Sequence, residues 1–315
     1  MRKVVKVLAM VLTVAVFTVA LMGCSNTPKV GVIQFADHPS LDNCREGFIE
    51  GLASMGYIDG ENIEIVTKSA QSDINVSTQI AQSFATSNTK LVCGIATPAA
   101  QAAYAACSEK NIPVVFNAVS DPVAAKLAVS DTEPAKNISG ISDKLPVEDQ
   151  LKLIRKVLPE AKKIGILYTT SEANSVSTIE EYKKLAPKYG FEIVEKGIGK
   201  AAEIPQAADV LLTQVDCISN MTDNTVVSAL AVILEKANAL KIPVFGSEEE
   251  QVKNGCIACA GLDYLELGKS AGIMAGRVLN GEDINTIPYE TIKEARITVN
   301  EEVATKLGIT IPEDL

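Results

Sequence analysis

The sequence predicts an α/β protein built as two doubly wound parallel-sheet lobes. Short β-rich runs alternate with helical stretches from Lys29 onward, the pattern of an open α/β sheet. The runs are nearly all apolar, as expected of strands covered by helices on both faces. The cycle also restarts near the middle of the 315 residues, a length that suits about two domains.

In the first half, strands are expected at 30–35, 63–66, 91–96 and 113–119, with helices at 41–55, 76–87 and 99–108 between them. A helix at 147–158 opens the second half. Strands follow at 164–168, 191–195, 215–220 and 243–245, separated by helices at 174–189, 203–213 and 225–240. Leu91-Val92-Cys93-Gly94-Ile95-Ala96-Thr97-Pro98 begins a strand–helix unit that ends at Ile112-Pro113-Val114. Val215-Asp216-Cys217-Ile218-Ser219-Asn220-Met221-Thr222 begins a second, ending at Ile242-Pro243-Val244. This long-period echo fits two lobes of like topology. Beyond it come a strand at 256–260, a helix at 264–279 stopped by Asn280-Gly281, a strand at 296–299 and a helix at 301–307. A lone strand and helix cannot bury their apolar faces. These pieces must return to the lobes, so the chain crosses between them several times and makes a hinge. The expected division is 29–139 plus 262–284 for the first lobe and 140–261 plus 285–315 for the second.

Arg2, Lys3 and Lys6 precede an uncharged apolar stretch, 7–22. Residues 1–23 therefore read as a secretory signal peptide, shorter than the roughly 20 apolar residues a spanning helix needs. An uncleaved signal anchor is the alternative. Gly23 before Cys24 resembles the lipobox of bacterial lipoproteins, which implies acylation of Cys24 and a polar tether over 24–28. The working protein is then extracytoplasmic and lipid-anchored, on the outer face of the cytoplasmic membrane or in the periplasm. The signal carries three of the 29 basic residues and none of the 39 acidic ones, leaving a net charge of −13. Such a surface repels phosphate backbones and anionic lipid heads, which argues against nucleic acid as a partner.

Of seven cysteines, Cys93, Cys217, Cys256 and Cys259 lie in apolar runs, where cysteine acts as a small hydrophobe. Cys256-Ile-Ala-Cys259 has metal spacing, but His38 is the only histidine and residues three apart on a strand face opposite ways. No metal is expected. Gly197-Ile-Gly199-Lys-Ala-Ala202 matches a dinucleotide fingerprint weakly, and no cofactor is expected. No Gly-x-Ser-x-Gly elbow accompanies His38, so a hydrolase is disfavoured and no catalytic residue is proposed. Glu248-Glu249-Glu250 reads as a solvated acidic run.

In open α/β sheets, ligands bind beyond the carboxyl ends of the strands. The turns there are rich in acids, hydroxyls and amides. Thr97, Ser175 and Thr225 lie at or near helix starts, where free N–H groups favour an anion. Asp37, Asp121, Asp223 and Asp263 could face a cation. Both kinds together suit an amino-acid zwitterion, although each residue alone could be a simple cap or turn former.

Phe35-Ala36-Asp37-His38-Pro39-Ser40-Leu41-Asp42, Ala96-Thr97-Pro98-Ala99-Ala100-Gln101, Ser171-Glu172-Ala173-Asn174-Ser175, Thr222-Asp223-Asn224-Thr225-Val226, Pro243-Val244-Phe245-Gly246 and Gly261-Leu262-Asp263-Tyr264 resemble the tryptophan/tyrosine ABC transporter substrate-binding family. The likeness spans about 29–281. It implies a type I periplasmic-binding fold with three hinge crossings and an aromatic amino acid (tryptophan, tyrosine or phenylalanine) in the interlobe cleft. It also implies an ABC permease and ATPase as partners of a monomeric receptor. By matching position, Thr97, Ser171, Asn174 and Ser175 are implied carboxylate-side contacts. Asp223, with Asn224 beside it, is the implied ammonium partner, and Phe35, His38 and Tyr264 the implied ring pocket. A sugar or nucleoside ligand, or a sensor not coupled to transport, are the alternatives.

Overall fold

A computed structural model describes residues 27–315 apart from Lys293. The expected signal peptide and the lipid attachment at Cys24 lie outside the described residues. Along the chain run β1 (Lys29–Gln34), α1 (Pro39–Ser54), β2 (Glu64–Ser69), α2 (Ile74–Thr86), β3 (Thr89–Ile95), α3 (Thr97–Cys107), β4 (Val114–Asn117), β5 (Ala128–Ser130), β6 (Glu133–Pro134) and β7 (Ile138–Ser142). Then come α4 (Val147–Val157), β8 (Lys163–Thr169), α5 (Ala173–Leu185), β9 (Glu192–Ile198), α6 (Ile204–Leu212), β10 (Cys217–Ser219), α7 (Asn224–Ser228), α8 (Leu230–Ala239), β11 (Val244–Phe245), α9 (Glu249–Lys253) and β12 (Ala258–Gly261). Last are α10 (Tyr264–Leu279), β13 (Glu290–Thr291), β14 (Arg296–Val299) and α11 (Glu301–Leu307).

Two sheets result, each with helices on both faces. The first has strand order β13-β7-β4-β3-β1-β2 and is parallel throughout. The second has order β11-β10-β8-β9, also parallel. The order β2-β1-β3-β4 in one lobe is matched by β9-β8-β10-β11 in the other, so the echo around Cys93 and Cys217 marks equivalent strands. β12 extends the second sheet, with Gly246 N–H donating to the Ala258 carbonyl and Ile257 N–H to that of Val244. β14 pairs antiparallel beyond it. The apolar runs are buried as their composition demands: every residue of β4 and of β7 is inaccessible to solvent.

The first lobe extends further than expected. β7 and β13 belong to its sheet, so it runs to Ser142 and again from Leu262 to Thr291, beyond the boundaries expected at 139 and 284. β7 reads Ile-Ser-Gly-Ile-Ser and is central in its sheet, yet its serines and glycine masked it as loop. The helix expected at 225–240 breaks at Ala229 into α7 and α8. The chain crosses between lobes three times: after Ser142, at Gly261–Leu262, and between Thr291 and Arg296. These connectors are tied to one another. Ile292 N–H donates to the Ser142 carbonyl, and Arg296 meets Asp263 at 2.8 Å. Gly261 must be glycine, because a Cβ there would lie 2.8 Å from Glu248 Cα and from the Ser247 carbonyl.

α1 and α10 pack unusually closely. A Cβ on Gly47 would fall 2.1 Å from the Leu265 carbonyl, and one on Gly268 2.3 Å from the Cys44 carbonyl. Glycines at 47, 51, 268 and 272 thus let two backbones touch. Both helices begin at the gap between the lobes, so this contact fixes what their N-termini present there.

Candidate ligand-binding site

The turns after β1, β3, β4, β8, β10 and β11 converge between the lobes, as the carboxyl ends of parallel strands must. They enclose a narrow cavity walled by both lobes. Leu41, Ala96, Ala118 and Val227 supply apolar wall. His38, Thr97, Ser120, Asp143, Asn174, Thr222, Asn224, Glu248 and Tyr264 supply polar wall. Ala96 and Ala118 hold φ of 74° and 58°, backbone strain that a non-glycine residue accepts mainly at working sites.

One set of lining residues favours an anion. α3 starts there with Thr97, whose buried hydroxyl has no partner, and its first turn leaves N–H groups free. Asn174, across the gap on α5, spends its amide nitrogen on the Thr222 carbonyl at 3.0 Å and leaves its oxygen unpaired. His38, the extended residue before Pro39 and α1, is buried with both ring nitrogens unpartnered. Burial lowers its pKa to about 4, against the pull of Asp42, so the imidazole is neutral.

A second set is acidic. Asp143 lies on the first crossing and accepts from Tyr264 Oη at 2.7 Å and Ser120 Oγ at 3.0 Å. Glu248 lies beside Leu262 on the second crossing and accepts from Gln251 Nε2 at 3.0 Å. Burial raises both carboxyls, Glu248 to about 7. No lysine or arginine lines the cavity.

The structure brings His38, Thr97, Asn174, Asn224 and Tyr264 together on this wall and places the other expected contacts elsewhere. Phe35 is in the first lobe's core. Ser171 is exposed at its turn. Asp121 caps its own turn through Ala124 N–H at 2.8 Å, and Asp263 caps α10 and pairs with Arg296. Ser175 donates to Asp223 at 2.7 Å. Asp223 also accepts from Thr169 N–H and Oγ1 and from Val226 N–H, so every lone pair it could offer an ammonium is spent inside the second lobe. Beside it, Glu172 accepts from Asn224, Thr225 and Asn174. Asp223 and Glu172 fasten lobe-2 turns together.

Asp143 and Glu248 were not among the expected contacts. Asp143 interrupts an otherwise uncharged run from 138 to 143, which was the available signal. Glu248 was absorbed into an acidic run read as solvated. That holds for exposed Glu249, whereas Glu248 is 2 % exposed because the β11 end carries it inward. The glycine fingerprint at 197–202 is no phosphate cradle: Gly199 N–H is taken by the Glu203 carboxylate at 2.9 Å.

Comparison with known proteins gives a consistent result. The family model for ABC transporter substrate binding proteins matches residues 29–315. The Tyrosine-binding protein of Clostridioides difficile (strain R20291) is 41% identical over 281 residues, 89% of this chain and 81% of that protein. The ABC domain in complex with L-Trp from Streptococcus pneumonia is 33% identical with a TM-score of 0.87, over 92% of this chain and 97% of that one. The ligand-free, open structure of a substrate binding protein with adhesive properties from Clostridium difficile is 40% identical with a TM-score of 0.69, over 91% and 97%. Proteins of this family bind a substrate outside the cytoplasm and do not transform it. With two type I lobes, three crossings and a cavity between them, this chain belongs to the ABC transporter substrate-binding protein family, and it is not an enzyme.

Proposed function

We propose that the protein is a lipid-anchored receptor, attached through Cys24, that captures an aromatic amino acid for an ABC importer. The observation that carries the ligand class is the polarity of the interlobe cavity. An unpaired hydroxyl, a helix N-terminus, two buried carboxyls and apolar side chains line the same cavity. An α-amino acid carries its carboxylate and its ammonium on one carbon with the ring to one side, so anion-seating and cation-seating groups sharing a cavity with apolar wall suit it, each through charge-assisted bonds. The names of the similar proteins, one a Tyrosine-binding protein and one complexed with L-Trp, support the same class.

The likeness to the complexed structure also bears on conformation. The relative described as ligand-free and open has the higher identity but the lower TM-score, which favours a difference in lobe arrangement over one of divergence. Here the lobes are in the shut arrangement, held across the gap by Ser120–Thr222 at 3.4 Å and Asn43–Glu250 at 3.3 Å. A ligand that touches both lobes shifts the population toward this form, which then docks on the permease. Calorimetry with tyrosine, tryptophan, phenylalanine, leucine, glucose and adenosine tests the reading. Micromolar affinity, about −8 kcal/mol, is expected for at least one aromatic amino acid; heat only from the sugar or nucleoside would replace it.

A further inference from the structure

Asp143, on the first crossing, and Glu248, in the turn after β11 and bridged to Leu262 of the second crossing, both line the cavity, and no lysine or arginine lines it with them. Both bear on Tyr264 and on Cys44 of α1, whose ionisation each opposes, and the Asp143 charge opposes that of Glu248. The remaining charged or titratable groups around them offer no relief. Glu250 stands on the Glu248 helix, and Cys256 and Cys259 lie behind it. His38 is neutral with Asp37 and Asp42 near it. Lys144, next to Asp143 in sequence, points outward to Glu181 at 3.9 Å. Thr97 Oγ1 and Asn174 Oδ1, buried and unpartnered on the same cavity wall, mark the space as built for a guest.

We propose that Asp143 and Glu248, which line one buried cavity, together seat the ligand's ammonium, and that without a ligand the pair retains one proton, which passes to water as the ammonium enters. The step balances: one O–H bond of a carboxylic acid breaks, a water molecule or buffer base takes the proton, and the ammonium's charge replaces it between two carboxylates. Two like carboxyls in one buried space ionise together only with difficulty, and burial already raises both. A cation placed between them reverses that preference. This inference rests on the amino-acid reading above. It adds that recognition selects for positive charge at the hinge, and that binding is coupled to pH.

The test is calorimetry of the wild-type protein with tyrosine at pH 6 in buffers of different ionisation enthalpy. Release approaching one proton per ligand is expected, shrinking toward zero by about pH 9 as the empty pair ionises. The deaminated analogue 3-(4-hydroxyphenyl)propionate should release none and bind at least about 100-fold more weakly. Glu248→Gln and Asp143→Asn, close in shape, should each weaken tyrosine binding about 10- to 100-fold and abolish the buffer dependence. Tyrosine binding with heat identical in all buffers overturns the shared proton while leaving the amino-acid reading intact. No binding of any amino acid removes both. The wild-type measurement decides the matter even if a variant fails to fold.

Discussion

Asp223 and Thr97 are both polar residues at helix starts, and only their surroundings tell their roles apart. Asp223 has four hydrogen bonds within its own lobe, whereas the Thr97 hydroxyl has none. Asp223→Ala would strand the Thr169 and Val226 N–H groups, each costing about 1–3 kcal/mol. Chemical denaturation should therefore show a loss of several kcal/mol, with tyrosine affinity nearly unchanged in the folded fraction. Thr97→Val should do the opposite: stability within about 1 kcal/mol of the parent, and affinity about tenfold lower by calorimetry. The sequence exposed which residue types gather at the strand ends but not which were already partnered. Hydrogen-bond satisfaction depends on contacts 48 or 54 residues apart in the chain, as between Asp223 and Ser175 or Thr169. Glu248 and Glu249 make the same point, since adjacent identical side chains face opposite environments.

The helix pair α1–α10 is the element that aims the site. His38 and Leu41 enter the cavity from the start of α1, and Tyr264 from the start of α10. Their spacing is set by backbone contact at the glycines. Gly268→Ala would drive a methyl group onto the Cys44 carbonyl; overpacking of this kind costs about 1–3 kcal/mol. The variant should melt at lower temperature and bind tyrosine more weakly, although residue 268 lies outside the cavity. Unchanged affinity would show that the helices aim nothing. α10 was legible from its Asp263 cap and Asn280-Gly281 stop, as β14 and α11 were from apolar pattern. β7 and β13 were not, because a short strand gains its form from the strand it pairs with and not from its own residues.

For the whole molecule, buried acids without cations dictate a response to pH. Burial raises the pKa of Glu248 to about 7, and burial beside the Asp223 carboxylate raises that of Glu172. Their protonated forms therefore favour the fold, fully below about pH 4.5, and that contribution is lost as pH rises through 7. His38, lowered to about 4, acts oppositely: its contribution is complete above about pH 6.5 and is lost on acidification toward 4. Two acids outweigh one imidazole. The ligand-free protein should be more stable at pH 5.5 than at pH 8, by on the order of 2 kcal/mol, in denaturant titrations. Glu248→Gln should flatten much of that slope.

Tyr264 and Asp143, joined at 2.7 Å, stand at the ends of two separate connectors. A molecule resting on them leans upon the axle, not upon the doors. Swinging either door outward twists the spot where the passenger is held, so opening and ejection become a single displacement. A transporter that bends this axle would discharge its cargo without ever touching it.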